Sequence, residues 1–265
     1  MNMTESLPIV LTIAGSDSGG GAGVQADLKT FSSLGAFGTT VFTCLTAQNP
    51  DGVSAIHTVS LDFIKQQLDA VFQYFPVLAC KTGMLFSEEI ISLVSEYMRS
   101  KPVKLVVDPV MVATSGAKLL QDDAILALKE KCIPLASLIT PNLDEAKLLL
   151  GKDIPSSSAL ESAAKELYEI YKVPILLKGG HLKDSKSAID VLFDGKAIYS
   201  YQKPFLDLVN THGTGCTYSS AITTFLAKGD SLPEAVGNAK EYLHRALETS
   251  VTTGKTKHLF HFAKD

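Results

Sequence analysis

Short aliphatic runs alternate with segments of helical periodicity along the chain, and this alternation constrains the fold more than any other feature. The runs lie at residues 9–14, 39–45, 105–107, 138–140 and 175–177. Between them, apolar residues recur three or four positions apart, as in Val24, Leu28 and Phe31, which is typical of amphipathic helices. Parallel strands joined by crossover helices produce this order. The sequence therefore predicts an α/β fold, a single doubly wound and mostly parallel sheet with helices on both faces.

The second half of the chain adds a hairpin and two helices to this pattern. Two strand-like runs within residues 188–201 flank Asp194 and Gly195, a pair that favours a β-hairpin at the edge of the sheet. Two helices are expected at about residues 217–228 and 232–249. The length of 265 residues would allow two equal domains, but the sequence contains no repeat or linker. We therefore expect one domain over residues 1–265.

Composition and charge exclude several classes of protein. Apolar residues make up 46% of the chain and charged residues 20%, which excludes a mostly disordered protein. A net charge of −4 has the wrong sign for a general binder of nucleic acid or of anionic membranes. No segment resembles a signal peptide or a membrane span, and the four cysteines form no zinc-binding spacing. We expect a cytosolic protein with reduced thiols.

Residues suited to chemistry follow the ends of four predicted strands. The glycine-rich loop 15–23 follows the first run, Asp108 the run at 105–107, Asn142 and Glu145 the run at 138–140, and Lys178 the run at 175–177. In an open α/β sheet, ligands bind at this edge, because strand ends and helix N-termini open onto one crevice. The sequence therefore predicts one site that is built from all four segments.

The segment 211–217 is the best candidate for binding phosphate. The Rossmann pattern and the P-loop pattern both fail when they are tested residue by residue. By contrast, Gly213 and Gly215 precede an apolar stripe of helical spacing, so backbone N–H groups and the positive end of a helix could together bind an anion. A flexible loop ahead of a helix would produce the same pattern, and both readings stay open at this point.

Four side chains near this segment suit phosphoryl transfer. Asp108 and Glu145 carry oxygen ligands of the type that binds Mg²⁺, and Lys178 could contact phosphate oxygens. Cys216 lies in the first turn of the predicted helix, where the dipole could lower the pKa of the thiol and make it a proton acceptor or nucleophile. Each residue also has an ordinary structural role: a turn aspartate, a helix-start glutamate, a solvated lysine and a small buried thiol.

The histidines are more ordinary. His181 and His212 are expected to form hydrogen bonds within loops. His258 and His261 lie three residues apart without a third ligand nearby, so no metal site is expected there.

At these residues the sequence resembles a known family, the hydroxymethylpyrimidine/phosphomethylpyrimidine kinases of thiamine biosynthesis, which have the ribokinase-like fold. The matching blocks are residues 15–23, 25–31, 46–49, 81–85, 107–111, 140–146, 178–181 and 211–217. They occur in order over roughly residues 8–247, almost the whole chain. The resemblance implies a kinase that uses ATP and Mg²⁺ to phosphorylate 4-amino-5-hydroxymethyl-2-methylpyrimidine and then its monophosphate.

The resemblance also assigns roles to individual residues. It places the pyrimidine among Gly15, Ala22, Asp27, Gln48 and Met84. It places ATP against Asn142, Glu145, Lys178, Thr211, Gly213, Thr214 and Gly215, with the metal at Asp108 and Glu145. Catalysis is expected from Lys178, Gly213, Gly215 and Cys216, the last beside the acceptor hydroxyl. Members of the family are usually homodimers.

Two other functions compete with this interpretation. A pyridoxal or pyridoxine kinase could use the same fold, since the residues alone do not separate the two substrates well. A non-catalytic sensor of pyrimidines or nucleotides could keep the pocket without the chemistry. The presence of Asp108, Glu145 and Lys178 favours a kinase over a sensor.

Overall fold

A computed structural model describes residues 6–111, 120–180, 187–206 and 212–262. Nine strands within these residues form one mixed sheet. The strands are β1 Ile9–Asp17, β2 Phe37–Asn49, β3 Gly52–Thr58, β4 Ala79–Thr82, β5 Lys104–Val107, β6 Leu138–Ile139, β7 Ile175–Lys178, β8 Ser187–Phe193 and β9 Ile198–Pro204. Their order across the sheet is β3-β2-β1-β4-β5-β6-β7-β8-β9. The neighbours from β2 to β7 pair in parallel, whereas β3, β8 and β9 pair antiparallel.

Helices cover both faces of this sheet. They are α1 Gly23–Ser33, α2 Leu61–Tyr74, α3 Glu88–Met98, α4 Asp122–Ala127, α5 Leu143–Leu150, α6 Leu160–Tyr171, α7 Thr214–Lys228 and α8 Leu232–Glu248. Successive strand residues point to opposite faces: Val107 packs in the cluster with α2 to α6, and Val106 packs in the cluster with α7 and α8. The predicted α/β fold, with one mostly parallel sheet and helices on both faces, is confirmed. The single-domain assignment stays a prediction.

Strand and hairpin predictions agree with the structure where the sequence carries an aliphatic run. The hairpin predicted within residues 188–201 is formed by β8 and β9, and the run at 39–45 extends into the longer β2. The predictions missed β4, which is central in the sheet, because its four residues include Lys81 and Thr82. They also missed β3, which is exposed along its whole length, and the short hairpin β10 Val251–Thr253 and β11 Thr256–His258.

Among the described residues, no helix is both long enough and apolar enough to span a bilayer. The cytosolic location stays a prediction from the sequence.

Candidate active site

The start of α7 lies against the carboxyl ends of β5 and β7. A Cβ atom added at Gly215 would lie 3.6 Å from Nζ of Lys178 and 3.7 Å from Oδ2 of Asp108. A parallel bridge between Asn142 and Lys178 continues the sheet to the start of α5. The structure therefore brings together four of the predicted residues, which come from three separate strand ends and one helix.

Lys178 and Asp108 form a largely buried ion pair. Nζ of Lys178 lies 3.2 Å from Oδ1 of Asp108, and the two side chains are 14% and 4% exposed. The hydroxyls of Thr140 and Ser219 donate to the same carboxylate at 3.3 and 3.1 Å. Burial disfavours the ammonium, but Asp108 and Glu145 raise the pKa of Lys178 above its ordinary value. Lys178 is therefore a fixed positive charge that can contact an anion at this edge.

Asn142 and Glu145 begin α5 with reciprocal hydrogen bonds. The backbone N–H of Glu145 donates to Oδ1 of Asn142, and the backbone N–H of Asn142 donates to Oε2 of Glu145, both at 2.9 Å. Oε1 of Glu145 accepts from the backbone of Met111 at 3.2 Å. Glu145 thus has the structural role that helix-start glutamates often have. This contact with Met111 also ties it to the loop after β5.

The two carboxylates of this region carry more charge than Lys178 neutralises. Burial raises the pKa of Glu145 to about 7; Lys178 opposes the shift and Asp108 adds to it. An unbalanced pair of carboxylates fits a hard divalent cation, which binds through one or two protein carboxylates and completes its shell with water and phosphate oxygens. In the described part of the chain, no group of three or more His, Cys, Asp or Glu residues gathers at one point. A metal here would therefore need ligands from a substrate.

The first turn of α7 has the backbone geometry of an anion site. Gly213 is the N-cap with φ +83° and, as a glycine, makes no side-chain capping hydrogen bond. A Cβ atom at Gly213 would lie 1.8 Å from the carbonyl oxygen of Gly21, so only glycine fits. The first N–H groups of a helix have no intrahelical partner and point outward. Thr211, predicted to contact ATP here, and His181, predicted to form hydrogen bonds within a loop, both fall outside the described residues.

The surroundings of Cys216 make its thiol a weak acid. Burial raises the pKa of the thiol to about 11, against the opposing effect of the Lys81 ammonium. Of the two roles that the sequence left open, the small buried thiol agrees with this shift and a thiol made acidic by the helix dipole does not, because loss of solvent outweighs the favourable charges. Cys216 is the one partly exposed cysteine among the four. At neutral pH it is a protonated thiol.

The glycine-rich loop after β1 folds around a carboxylate of its own. Asp17 accepts hydrogen bonds from the backbone N–H groups of Gly19, Gly21 and Ala22 at 2.8 to 3.0 Å. Nε2 of His212 lies 2.9 Å from the same carboxylate. Although burial opposes it, these hydrogen bonds lower the pKa of Asp17. The loop amides are thus occupied, and the loop is tied through His212 to the segment that precedes α7.

Three residues predicted for the pyrimidine lie beside this loop. A Cβ atom added at Gly15 would lie 3.0 Å from Cε of Met84, so Gly15 and Met84 pack together. Nε2 of Gln48 lies 3.4 Å from Nε2 of His212, and Oε1 of Gln48 accepts from the hydroxyl of Thr46 at 3.1 Å. Ala22 is the N-cap of α1, and His212, which lies beside Gln48, directly precedes the N-cap of α7.

Asp27, the fifth residue predicted for the pyrimidine, lies in the interior. Its carboxylate has no exposed surface and accepts from Thr12 at 2.7 Å, from Lys81 at 2.8 and 2.9 Å, and from Ser220 at 2.7 Å. Direct contact with a substrate is inconsistent with this enclosure. Lys81 was missed by sequence reasoning, although it begins the block 81–85. The sequence of a short strand does not show that its lysine is completely buried, because the burial depends on a partner that lies far away in the chain.

Comparisons with known proteins agree with this geometry. The Phosphomethylpyrimidine kinase family model matches residues 17–261. The chain is 46% identical over 264 residues to the hydroxymethylpyrimidine/phosphomethylpyrimidine kinase of Rhizobium meliloti, and the match covers 97% of this chain and 99% of that protein. It is 49% identical over 247 residues to the thiamine biosynthesis bifunctional protein ThiED of Geobacter sulfurreducens. This match covers 93% of this chain and 50% of that protein, so the chain spans about half of that protein's length.

A solved structure is similar over almost the whole chain. It is an ADP complex of the pyridoxal kinase of Bacillus subtilis, with a TM-score of 0.89 and 38% sequence identity. The similarity covers 97% of this chain and 98% of that chain.

Proposed function

The chain belongs to the phosphomethylpyrimidine kinase family and is a phosphotransferase, and from this premise we propose that it uses ATP to phosphorylate 4-amino-5-hydroxymethyl-2-methylpyrimidine and then its monophosphate. The product would be the diphosphate used in thiamine biosynthesis. The observation that carries the proposal is the position of Gly215 in the first turn of α7, where a Cβ atom built on it would lie within 4 Å of Nζ of Lys178 and Oδ2 of Asp108.

The nucleotide is proposed to bind across the α7 turn and α5. Its phosphates would accept from the N–H groups around Gly213, Thr214 and Gly215, with Lys178 against the transferred group and Asn142 and Thr211 as further contacts. Helix N-termini bind phosphate because the N–H groups and the dipole act together. A fixed lysine adds charge stabilisation at the point where phosphate charge shifts during transfer.

Asp108 and Glu145 are the proposed ligands of Mg²⁺. Two carboxylates face one ammonium at this point, and burial, with a smaller contribution from Asp108, raises the pKa of Glu145. When bound, Mg²⁺ would neutralise part of the negative charge on the phosphate oxygens. The chain's own residues orient the site: Thr140 and Ser219 fix Asp108, and the backbone of Asn142 and Met111 fixes Glu145.

The pyrimidine is proposed to lie against Gly15, Ala22, Gln48 and Met84. The amide of Gln48 offers a donor and an acceptor to the edge of an aminopyrimidine, and Met84 offers an apolar surface beside the ring. Gln48 also lies beside His212, which directly precedes Gly213, the N-cap of α7. The acceptor hydroxyl would then lie near Cys216.

Cys216 is proposed as a weak proton acceptor for the first step only. Because its pKa is about 11, only the minor thiolate form can accept the proton of the hydroxyl, and that transfer returns Cys216 to the thiol. In a loose transition state the acceptor proton leaves late, and positioning with charge neutralisation dominates. In the second step the acceptor is an ionised phosphate and needs no base.

A pyridoxal kinase is the second candidate, since the solved structure of a pyridoxal kinase is so similar. Mass spectrometry of the products separates the two functions. We expect ATP and the pyrimidine alcohol to give a monophosphate and then a diphosphate. Efficient turnover of pyridoxal without a diphosphate from the pyrimidine would overturn the proposal. Tight binding of the pyrimidine without turnover would favour a sensor.

We also propose that the protein is a homodimer. Apolar side chains of the sheet edge are exposed on β2 and β3, namely Leu45, Val53 and Ile56. An exposed apolar edge of this kind favours association with another surface. Sedimentation of the wild type and of an Ile56→Asp variant tests this: a dimer that becomes a monomer supports the proposal, and a monomeric wild type refutes it.

A further inference from the structure

The segment that follows β11 is anchored to two helices. We call residues 259–262 the C-terminal strap. The backbone N–H of Phe260 donates to the carbonyl of Ala246 on α8 at 3.1 Å. The carbonyl of His261 accepts from the hydroxyl of Tyr242 at 2.8 Å and from the hydroxyl of Ser33 on α1. The backbone of His261 is therefore fixed between α1 and α8.

The side chain of His261 points from this strap to the α7 turn. The residue is 4% exposed, and Nε2 lies 3.0 Å from Oγ1 of Thr217. Burial lowers the pKa of His261 to about 4, so the ring is neutral, and it also makes a hydrogen bond with the carbonyl of Leu259. A neutral imidazole has one donor nitrogen, which that carbonyl uses, so Nε2 accepts from the hydroxyl of Thr217.

Thr217 is part of the turn that the proposed function assigns to phosphate. It follows Cys216 directly, it has no exposed surface, and its backbone N–H donates to the carbonyl of Gly213 at 2.9 Å. That bond closes the first turn of α7. The side chain of Thr217 is thus held by the strap at the same point where its backbone closes the turn.

We infer that His261 is a positioning residue for the nucleotide phosphates, acting through Thr217. The inference rests on the proposed function. The first turn of α7 has glycine at its N-cap and at its second position, and a glycine N-cap has no side chain to hold the N–H groups. Groups that bind a developing charge are effective when they are held in place before the ligand arrives. The hydrogen bond from Thr217 to His261 supplies this hold from behind the turn.

The test compares nucleotide binding with pyrimidine binding in two variants. His261→Phe keeps a ring but removes the acceptor, and Thr217→Val keeps the shape but removes the donor. We expect the Kd for a non-hydrolysable ATP analogue with Mg²⁺, measured by calorimetry, to rise about three- to tenfold in both, which is the effect of one net hydrogen bond. The Kd for the pyrimidine alcohol should stay within about 1.5-fold of the wild-type value, because the pyrimidine is proposed to bind against other residues. A general loss of structure would instead weaken the binding of both ligands.

Two further variants make the result specific. His261→Gln offers a carbonyl oxygen in place of Nε2 and should recover part of the nucleotide affinity. Phe262→Ala, at an exposed position of the same strap, should behave as the wild type. If His261→Phe does not fold, Thr217→Val decides.

Four outcomes separate this inference from its premise. Unchanged nucleotide affinity in Thr217→Val, or equal weakening of both ligands, would overturn the positioning role. Absence of any turnover in the wild type would instead overturn the proposed function. Selective weakening of the nucleotide in an active enzyme supports both.

Discussion

Nζ of Lys178, at the end of β7, lies 3.2 Å from Oδ1 of Asp108, which follows β5, and the pair adjoins the first turn of α7. The two residues are 70 positions apart in the chain. The parallel order of β5, β6 and β7 brings them to one edge of the sheet. An ammonium, a carboxylate and the backbone N–H groups at the start of a helix therefore share one small region, which is the arrangement that phosphoryl transfer requires.

Replacing Lys178 with alanine should slow both phosphorylation steps. In the proposed function the ammonium contacts the transferred group in either step, and removal of one fixed charge-stabilising group costs roughly 100-fold or more in kcat. Coupled assays with the alcohol and with the monophosphate measure the two rates. Lys196→Ala, an exposed lysine in the hairpin turn, is the control. A second step that stays at the wild-type rate would refute the phosphate contact.

Replacing Cys216 with serine should affect the two steps differently. The first step needs the acceptor proton removed, and loss of a base costs on the order of 100-fold. The second step uses an acceptor that is already ionised and should change by less than about threefold, within the range of a minor positional effect. The two rates are measured on the same preparation, so the second serves as the control for the first. Equal slowing would remove Cys216 from the role of base.

Glu145 should make folding stability depend on pH. Its pKa is about 7 in the folded chain, against an ordinary value of 4.5. A carboxyl whose pKa is raised on folding favours the folded state at low pH, and this contribution is lost as the pH rises from 4.5 through 7. In urea unfolding without nucleotide or metal, Glu145→Gln should therefore gain stability relative to the wild type across that range.

The second pair of reciprocal helix-start hydrogen bonds provides the control for this experiment. Ser231 and Glu234 begin α8 in the same way, but Glu234 is exposed and hydrogen bonds with Ser231 lower its pKa. Glu234→Gln should not gain stability as the pH rises from 4.5 to 7. A parallel pH dependence for the wild type and Glu145→Gln would show that Glu145 does not titrate in this range.

The buried pair of Asp27 and Lys81 should behave as a unit. Asp27→Asn leaves the ammonium of Lys81 without a counter-charge in the interior, which should lower the free energy of unfolding by about 3–5 kcal/mol. The double variant Asp27→Leu with Lys81→Met removes both charges and should recover part of that loss. Urea titrations of the three proteins test this. An Asp27→Asn variant as stable as the wild type would contradict the assignment.

Sequence patterns predicted most of the sheet, because strands such as β5 and β7 consist of aliphatic residues that alternate between two covered faces. They missed β4, where a charged residue is buried by pairing with a residue 54 positions away. The same limit explains the site. Lys178 and Asp108 were located from the strand ends they follow, whereas the enclosure of Asp27 and the raised pKa of Cys216 depend on packing between distant segments. Local pattern carries no information about such desolvation.

A crystal structure with the pyrimidine alcohol, Mg²⁺ and a non-hydrolysable ATP analogue tests the central claim most directly. We expect the triphosphate at the N–H groups that follow Gly213, with Lys178 against the terminal phosphate and the pyrimidine beside Gln48 and Met84. A nucleotide bound at another place, with water alone at the start of α7, would contradict the account.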